Sequence, residues 1–156
     1  MDKQRISINS RIGKLEVDRD RMIHFPRGLI GFEALREFVL VEFKPGTPFH
    51  FLQSVEVPGM GMMLADPFPF LPDYEIRLGT AEEKLLKVRS IRDLVILVSV
   101  TVPKGDPEGT TLNLTGPVCV NVRERLGLQA PQADLPFPPR VLLRDLGEPD
   151  RRTAQV

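Results

Sequence analysis

A chain of 156 residues with 42% hydrophobic and 27% charged side chains has the composition of one ordinary globular domain, and this excludes a disordered or fibrous protein. No apolar stretch reaches the roughly 18 residues of a membrane helix, since the best candidate, residues 94–102, is stopped by Asp93 and Pro103. The 21 basic and 21 acidic side chains cancel, so no global field draws the chain to nucleic acid.

The charge is nevertheless uneven. Residues 31–83 hold nine Asp/Glu against three Lys/Arg, a local net charge of −6 that would attract a basic partner if these side chains share a face. Residues 1–10 mix charges with apolar residues and show no secretion signal. The one cysteine, Cys119, cannot form an internal disulfide and fits a reducing compartment.

In chain order, Arg5-Ile6-Ser7-Ile8-Asn9 places both isoleucines on one face of an edge strand. A turn at residues 9–11 leads into a second run, 12–17. The polar residues 18–20 then separate it from Arg21-Met22-Ile23-His24-Phe25, which reads as a meander. His24 is a structural strand residue, because no second ligand stands at metal-site spacing. The loop Phe25-Pro26-Arg27-Gly28-Leu29-Ile30-Gly31-Phe32 lacks the lysine-serine end of a phosphate cradle and the spacing of a dinucleotide fingerprint. Its glycines are expected to turn the backbone at positive φ, with Phe25 and Phe32 packing on either side and residues 33–38 forming one helical turn.

Further strands are predicted at residues 37–43, 48–55, 61–65 and 74–78, each bounded by Pro, Gly or Asp. Thr80 and Glu83 form a capping box before Leu85 and Leu86, which starts one short helix. Residues 94–102 read as a strand covered on both faces, and residues 111–114 and 118–122 resume the sheet, with Cys119 as a small strand residue. From Ala130 onward, Pro131, Pro136, Pro138 and Pro139 exclude a central strand and leave residues 141–143 to pack back on the fold. The expected fold is all-β: a small closed or partly open antiparallel barrel with one short helix. Its domain spans residues 1–143 and is followed by a flexible tail, 144–156.

The segment Asp66-Pro67-Phe68-Pro69-Phe70-Leu71-Pro72-Asp73-Tyr74 has two readings. In one, Phe68, Phe70 and Tyr74 form a lid closing a barrel end, which the residues alone favour. In the other they form an exposed rim that docks an amphipathic helix, with Asp66 and Asp73 as polar markers. These two carboxylates are also spaced as an acid/base pair, yet nothing locates a substrate. No Ser-His-Asp set, zinc spacing or calcium loop is present, so no enzyme, metal or cofactor is expected. With no Trp and one Tyr, a base-stacking surface is poorly supported. A nucleic-acid-binding barrel and, behind it, an enzyme on a barrel scaffold are the alternatives from other classes.

Five motifs in register then point to a family. They are Phe25-Pro26-x-Gly28-Leu29-x-Gly31-Phe32, Pro48-Phe49-x-x-Leu52-Gln53-Ser54, Asp66-Pro67-Phe68-x-Phe70-x-Pro72-Asp73-Tyr74, Thr101-Val102-Pro103 and Asn113-Leu114-x-x-Pro117. Together they resemble the FliW family over residues 5–140. The family's acidic-then-Tyr-Pro segment reads Asp134-Leu135-Pro136 here. The resemblance implies a cytoplasmic flagellar assembly factor that binds newly made flagellin and, once flagellin is exported, binds and antagonises CsrA, an RNA-binding translational repressor, without touching RNA itself. The charge count, and not the resemblance, assigns Glu33, Glu37 and Glu42 to a face for the repressor, and the loop composition assigns the aromatic and glycine-loop surfaces to the apolar C-terminal helix of flagellin. Gln53 and the aromatic loop, Asp66, Phe68, Phe70, Asp73 and Tyr74, join them as protein-binding candidates. A monomer is expected, since no apolar stripe is left over for self-association.

Overall fold

A computed structural model describes residues 5–147. The chain opens with a hairpin of β1 (Arg5–Ser10) and β2 (Gly13–Asp18), paired from Arg5↔Asp18 to Ser10↔Gly13. Then come β3 (Met22–His24), β4 (Glu37–Glu42), β5 (Phe49–Ser54) and β6 (Gly61–Ala65). After α1 (Thr80–Leu86) the chain returns through β7 (Leu94–Thr101), β8 (Thr111–Asn121), β9 (Leu126–Gln129) and β10 (Arg140–Leu142).

Strands β3 to β9 close a seven-membered ring, because β9 pairs with β8 on one side and meets β3 on the other. The closing bridge, His24↔Leu126, is parallel, whereas a purely antiparallel barrel was expected. Parity is the reason: strand direction cannot alternate all the way around a ring with an odd number of members. β9 itself went unforeseen, because a charged turn and an interior glycine disguise a run of four residues.

β8 replaces the two strands expected at 111–114 and 118–122. Leu97 pairs with Val118 and Ser99 with Asn113, so residues 114–117 stand opposite Val98 as a bulge. Pro117 is tolerated there because a bulged residue needs no ladder donor. The bend lets β8 pair with β10 along its first half and with β9 along its second.

The barrel interior is filled by Phe25, Phe38, Leu52, Leu64, Leu97 and Val120 among others, with the Phe25 and Phe38 rings edge to face at 5.2 Å. Three coverings bury the outside. The β1–β2 hairpin lays Ile8 and Val17 on Val39, and α1 sets Leu86 over Cys119 and Leu128. Phe70 and Tyr74 lie on Val98, Leu112 and Leu114, where β10 and the turn Leu143–Leu146 add Val141, Leu143 and Leu146. The tail expected from residue 144 therefore begins with a packed turn; residues 148–156 lie outside the described residues.

Three local expectations are corrected. Residues 74–78 have no regular secondary structure and join no sheet; instead the Gln132 side chain acts as a one-residue partner, its Oε1 accepting from Arg77 N (2.8 Å) and its Nε2 donating to Arg77 O (3.0 Å). Residues 33–34 make a turn and residues 35–36 no regular structure, not a helical turn, because β4 takes up the backbone from Glu37. The helix starts at Thr80 with Gly79 as its N-cap and no side-chain capping bond.

Candidate partner-binding surfaces

The aromatic loop resolves as a lid. Phe70 N and Leu71 N donate to Pro67 O, and Tyr74 N donates to Leu71 O, so successive tight turns throw the rings inward. Phe70 is 8% exposed and Tyr74 2%, and the Tyr74 hydroxyl donates to Leu114 O at 2.5 Å. Burial pushes that hydroxyl well above the usual phenol range. The exposed-rim reading therefore fails for these two rings. It fails for Asp66 as well, which is buried, with Oδ1 accepting from Phe68 N (3.0 Å) to start the loop.

Gln53 is also buried and bonds within its own chain. Its Oε1 accepts from Arg11 N (3.0 Å) and its Nε2 donates to Ser54 O and Pro58 O (3.0 and 3.1 Å). It pins the tip of the hairpin to the barrel and is not available to a partner.

Phe68 and Asp73 remain accessible. Phe68 is half-buried edge-on against Tyr74 (centroids 6.0 Å apart), and the two open onto a groove of about 520 Å³. Ile76 and Leu78 of segment 74–78 form one wall, Val88 another, and Leu94 and Ile96 of β7 line the remainder, with Glu75 and Glu83 at the rim. These residues are absent from the sequence-based assignment. The alternation Tyr74-x-Ile76-x-Leu78 was read as a sheet strand, but without strand neighbours its apolar side chains become a groove wall. Asp73 and Glu75 also line a neighbouring cleft of about 410 Å³, across from Gln132 and Asp134.

The acidic candidates do not form one patch. Glu37 and Glu42 sit at opposite ends of β4, about 17 Å apart at ~3.4 Å per residue, and an odd separation puts them on opposite faces. Glu42 stands across from His50 in the ladder. Glu37 Oε1 lies 2.5 Å from His24 Nδ1, and Glu33 Oε2 accepts from Gly31 N at 2.6 Å. Beside Glu37 is Glu56, whose Oε1 accepts from Glu37 N (2.9 Å) and Arg36 N (2.8 Å); these two bonds hold its carboxyl below the usual range. Thus Glu33, Glu37 and Glu56 mark one end of the barrel and Glu42 the other.

At that first end, Gly28 (φ +65) and Gly31 (φ +88) take the backbone through tight turns, and a Cβ on Gly28 would stand 2.6 Å from Glu33 O. The turn Leu29–Phe32, closed by Phe32 N donating to Leu29 O, buries Leu29 but presents Ile30 (60% exposed) and Phe32 (47%) to solvent. Of the two rings expected to pack on either side of this loop, Phe25 is buried and Phe32 is not.

The Cys119 thiol is buried and pushed up to about 12, which keeps it protonated at neutral pH and unsuited to nucleophilic attack. Among the described residues no three His, Cys, Asp or Glu side chains converge as a metal site, and no helix is long and apolar enough to cross a membrane.

The model of the FliW protein family matches residues 7–142. The chain is 50% identical over 138 residues to the flagellar assembly factor FliW of Nitratidesulfovibrio vulgaris, covering 88% of this chain and 80% of the relative. It is 44% identical over 129 residues to that of Desulfovibrio desulfuricans, covering 81% and 78%. A crystal structure of the flagellar assembly factor FliW superposes with a TM-score of 0.78 at 31% identity, over 90% of this chain and 96% of that one. The mixed barrel and these relatives together place the molecule among the flagellar assembly factors, a non-enzymatic class. The chain belongs to the FliW family.

Proposed function

We propose that this protein binds flagellin in the cytoplasm and, when freed of it, binds and antagonises the translational repressor CsrA, acting as a monomer. The observation that supports this most is the apolar groove beside the lid. Its half-buried walls of Ile76, Leu78, Val88 and Ile96 suit the apolar face of a helix, in the manner of helix-in-groove recognition. Flagellin's amphipathic C-terminal helix is the assigned occupant. The repressor is assigned to the separate end marked by Glu33, Glu37 and Glu56, where exposed carboxylates would meet a basic surface and steer its approach.

Binding of a labelled flagellin C-terminal peptide, followed by anisotropy, tests the first assignment. Leu78→Asp and Phe68→Ala should each weaken it at least about tenfold, the ~1.4 kcal/mol scale of losing a well-packed anchor. Both side chains also pack on the core clusters, so the melting temperature should fall somewhat while circular dichroism shows the fold intact. The double charge reversal Glu33→Lys/Glu56→Lys should weaken the repressor complex and flatten its salt dependence while sparing flagellin. Equal loss of both partners in either variant refutes the division of surfaces.

A further inference from the structure

We propose that the groove is directional: it takes the flagellin helix with its C-terminal end, and the free carboxylate that closes the chain, at the side of Lys84, Lys87 and Arg89. This rests on the helix-binding reading above.

The two ends of the groove differ in charge. Towards Tyr74, the rim residue Glu75 is shared with the adjoining cleft, where Asp73 and Asp134 add two carboxylates and Arg77 one cation. Towards Val88, the groove runs into a shallower cleft, with Glu83 and Val88 common to both. There Lys84, Lys87 and Arg89 set three cations against Glu83 and Glu124. The backbone places them: Lys87 ends α1 in the left-handed region (φ 53), with its N–H donating to Lys84 O. That reversal sends Val88 to the groove and leaves Lys84, Lys87 and Arg89 exposed around it.

A helix carries partial positive charge at its N-terminus and partial negative charge at its C-terminus, and a chain end adds a full negative charge. With its C-terminus at the lysines, both ends of the docked helix meet opposite charge; reversed, both meet like charge. The same arrangement selects a helix at the very end of a polypeptide over an internal helix of equal apolarity, because an internal helix has no carboxylate to offer.

The test uses the full chain and two N-terminally labelled peptides of the flagellin C-terminal helix, one with a free carboxylate and one amidated. In low salt the free carboxylate form should bind about threefold to fivefold more tightly, the scale of an exposed ion pair. The triple variant Lys84→Gln/Lys87→Gln/Arg89→Gln should abolish that difference, with the free-carboxylate peptide losing more affinity than the amidated one, which keeps only the partial charge of its helix end. Equal binding of the two peptides to the wild type, or a difference that survives in the triple variant, overturns the orientation alone. Failure of both peptides to bind overturns the helix-binding reading and the orientation with it.

Discussion

Gly127 lies flat against the ring of Phe25: a Cβ added to Gly127 would stand 2.4 Å from the nearest ring carbon, and Phe25 is itself fully buried in the barrel. Gly127→Ala should therefore overpack the interior and cost about 1–3 kcal/mol. Urea unfolding reads this directly, and Phe25→Leu added to Gly127→Ala should recover part of the loss. A second substitution that adds its full cost to the first would show that the two do not share one space.

Tyr74→Phe keeps the ring that fills the lid but removes the donor to Leu114 O. The buried carbonyl is then left without that bond, at a cost of about 1–3 kcal/mol. Tyr74→Ala should cost more, about 3–5 kcal/mol as for other large aromatic truncations in a core, because a cavity opens over Val98 and Leu112. Equilibrium unfolding of both variants should give that order.

Gln53→Ala should loosen the hairpin selectively. The Arg11 N–H loses its acceptor, while the ring of seven strands keeps every ladder. Hydrogen exchange at amides of β1 and β2 is expected to rise about tenfold for each ~1.4 kcal/mol lost, with β7 and β8 amides changing much less. Uniform acceleration across all strands would contradict a local role.

His50 is buried on β5, and burial lowers its imidazole pKa below the ordinary value, with the Glu42 carboxylate opposing the shift. The unfolded chain then binds a proton at a higher pH than the native one does, so the slope of stability with pH is positive in that range. Stability should be complete above about pH 6.5, the ordinary histidine value, and should fall on acidification below it. His50→Gln should flatten the pH dependence between 7 and 5 relative to wild type.

The period-2 alternation made most of the barrel legible, and β1 to β6 lie close to where sequence places them. What stayed hidden depended on partners distant in the chain. Residues 74–78 alternate as a strand does, but their hydrogen-bonding partner is a single side chain, Gln132, and that relation leaves no local signal. β9 contains Gly127, which marks a loop in sequence and is required in space by Phe25. The acidic excess of residues 31–83 was countable, but strand parity sent Glu37 and Glu42 to opposite faces, which a count cannot register. The lid was favoured from its prolines; that its flank would leave a groove between Phe68 and Ile96 was not legible, because α1 and β7 form the other side.

The pairing of His24 with Leu126 joins positions at nearly opposite ends of the domain. During synthesis, β3 to β6 can zip up hairpin by hairpin as they emerge, but the cylinder has no wall on its last side until Leu126 has left the ribosome. Closure must then wait on a long chain loop finding its ends, which is slow for topologies rich in distant contacts. A nascent chain interrupted before that point would present the apolar lining of an open sheet, so truncation just short of residue 126 should yield aggregation in place of a smaller stable barrel.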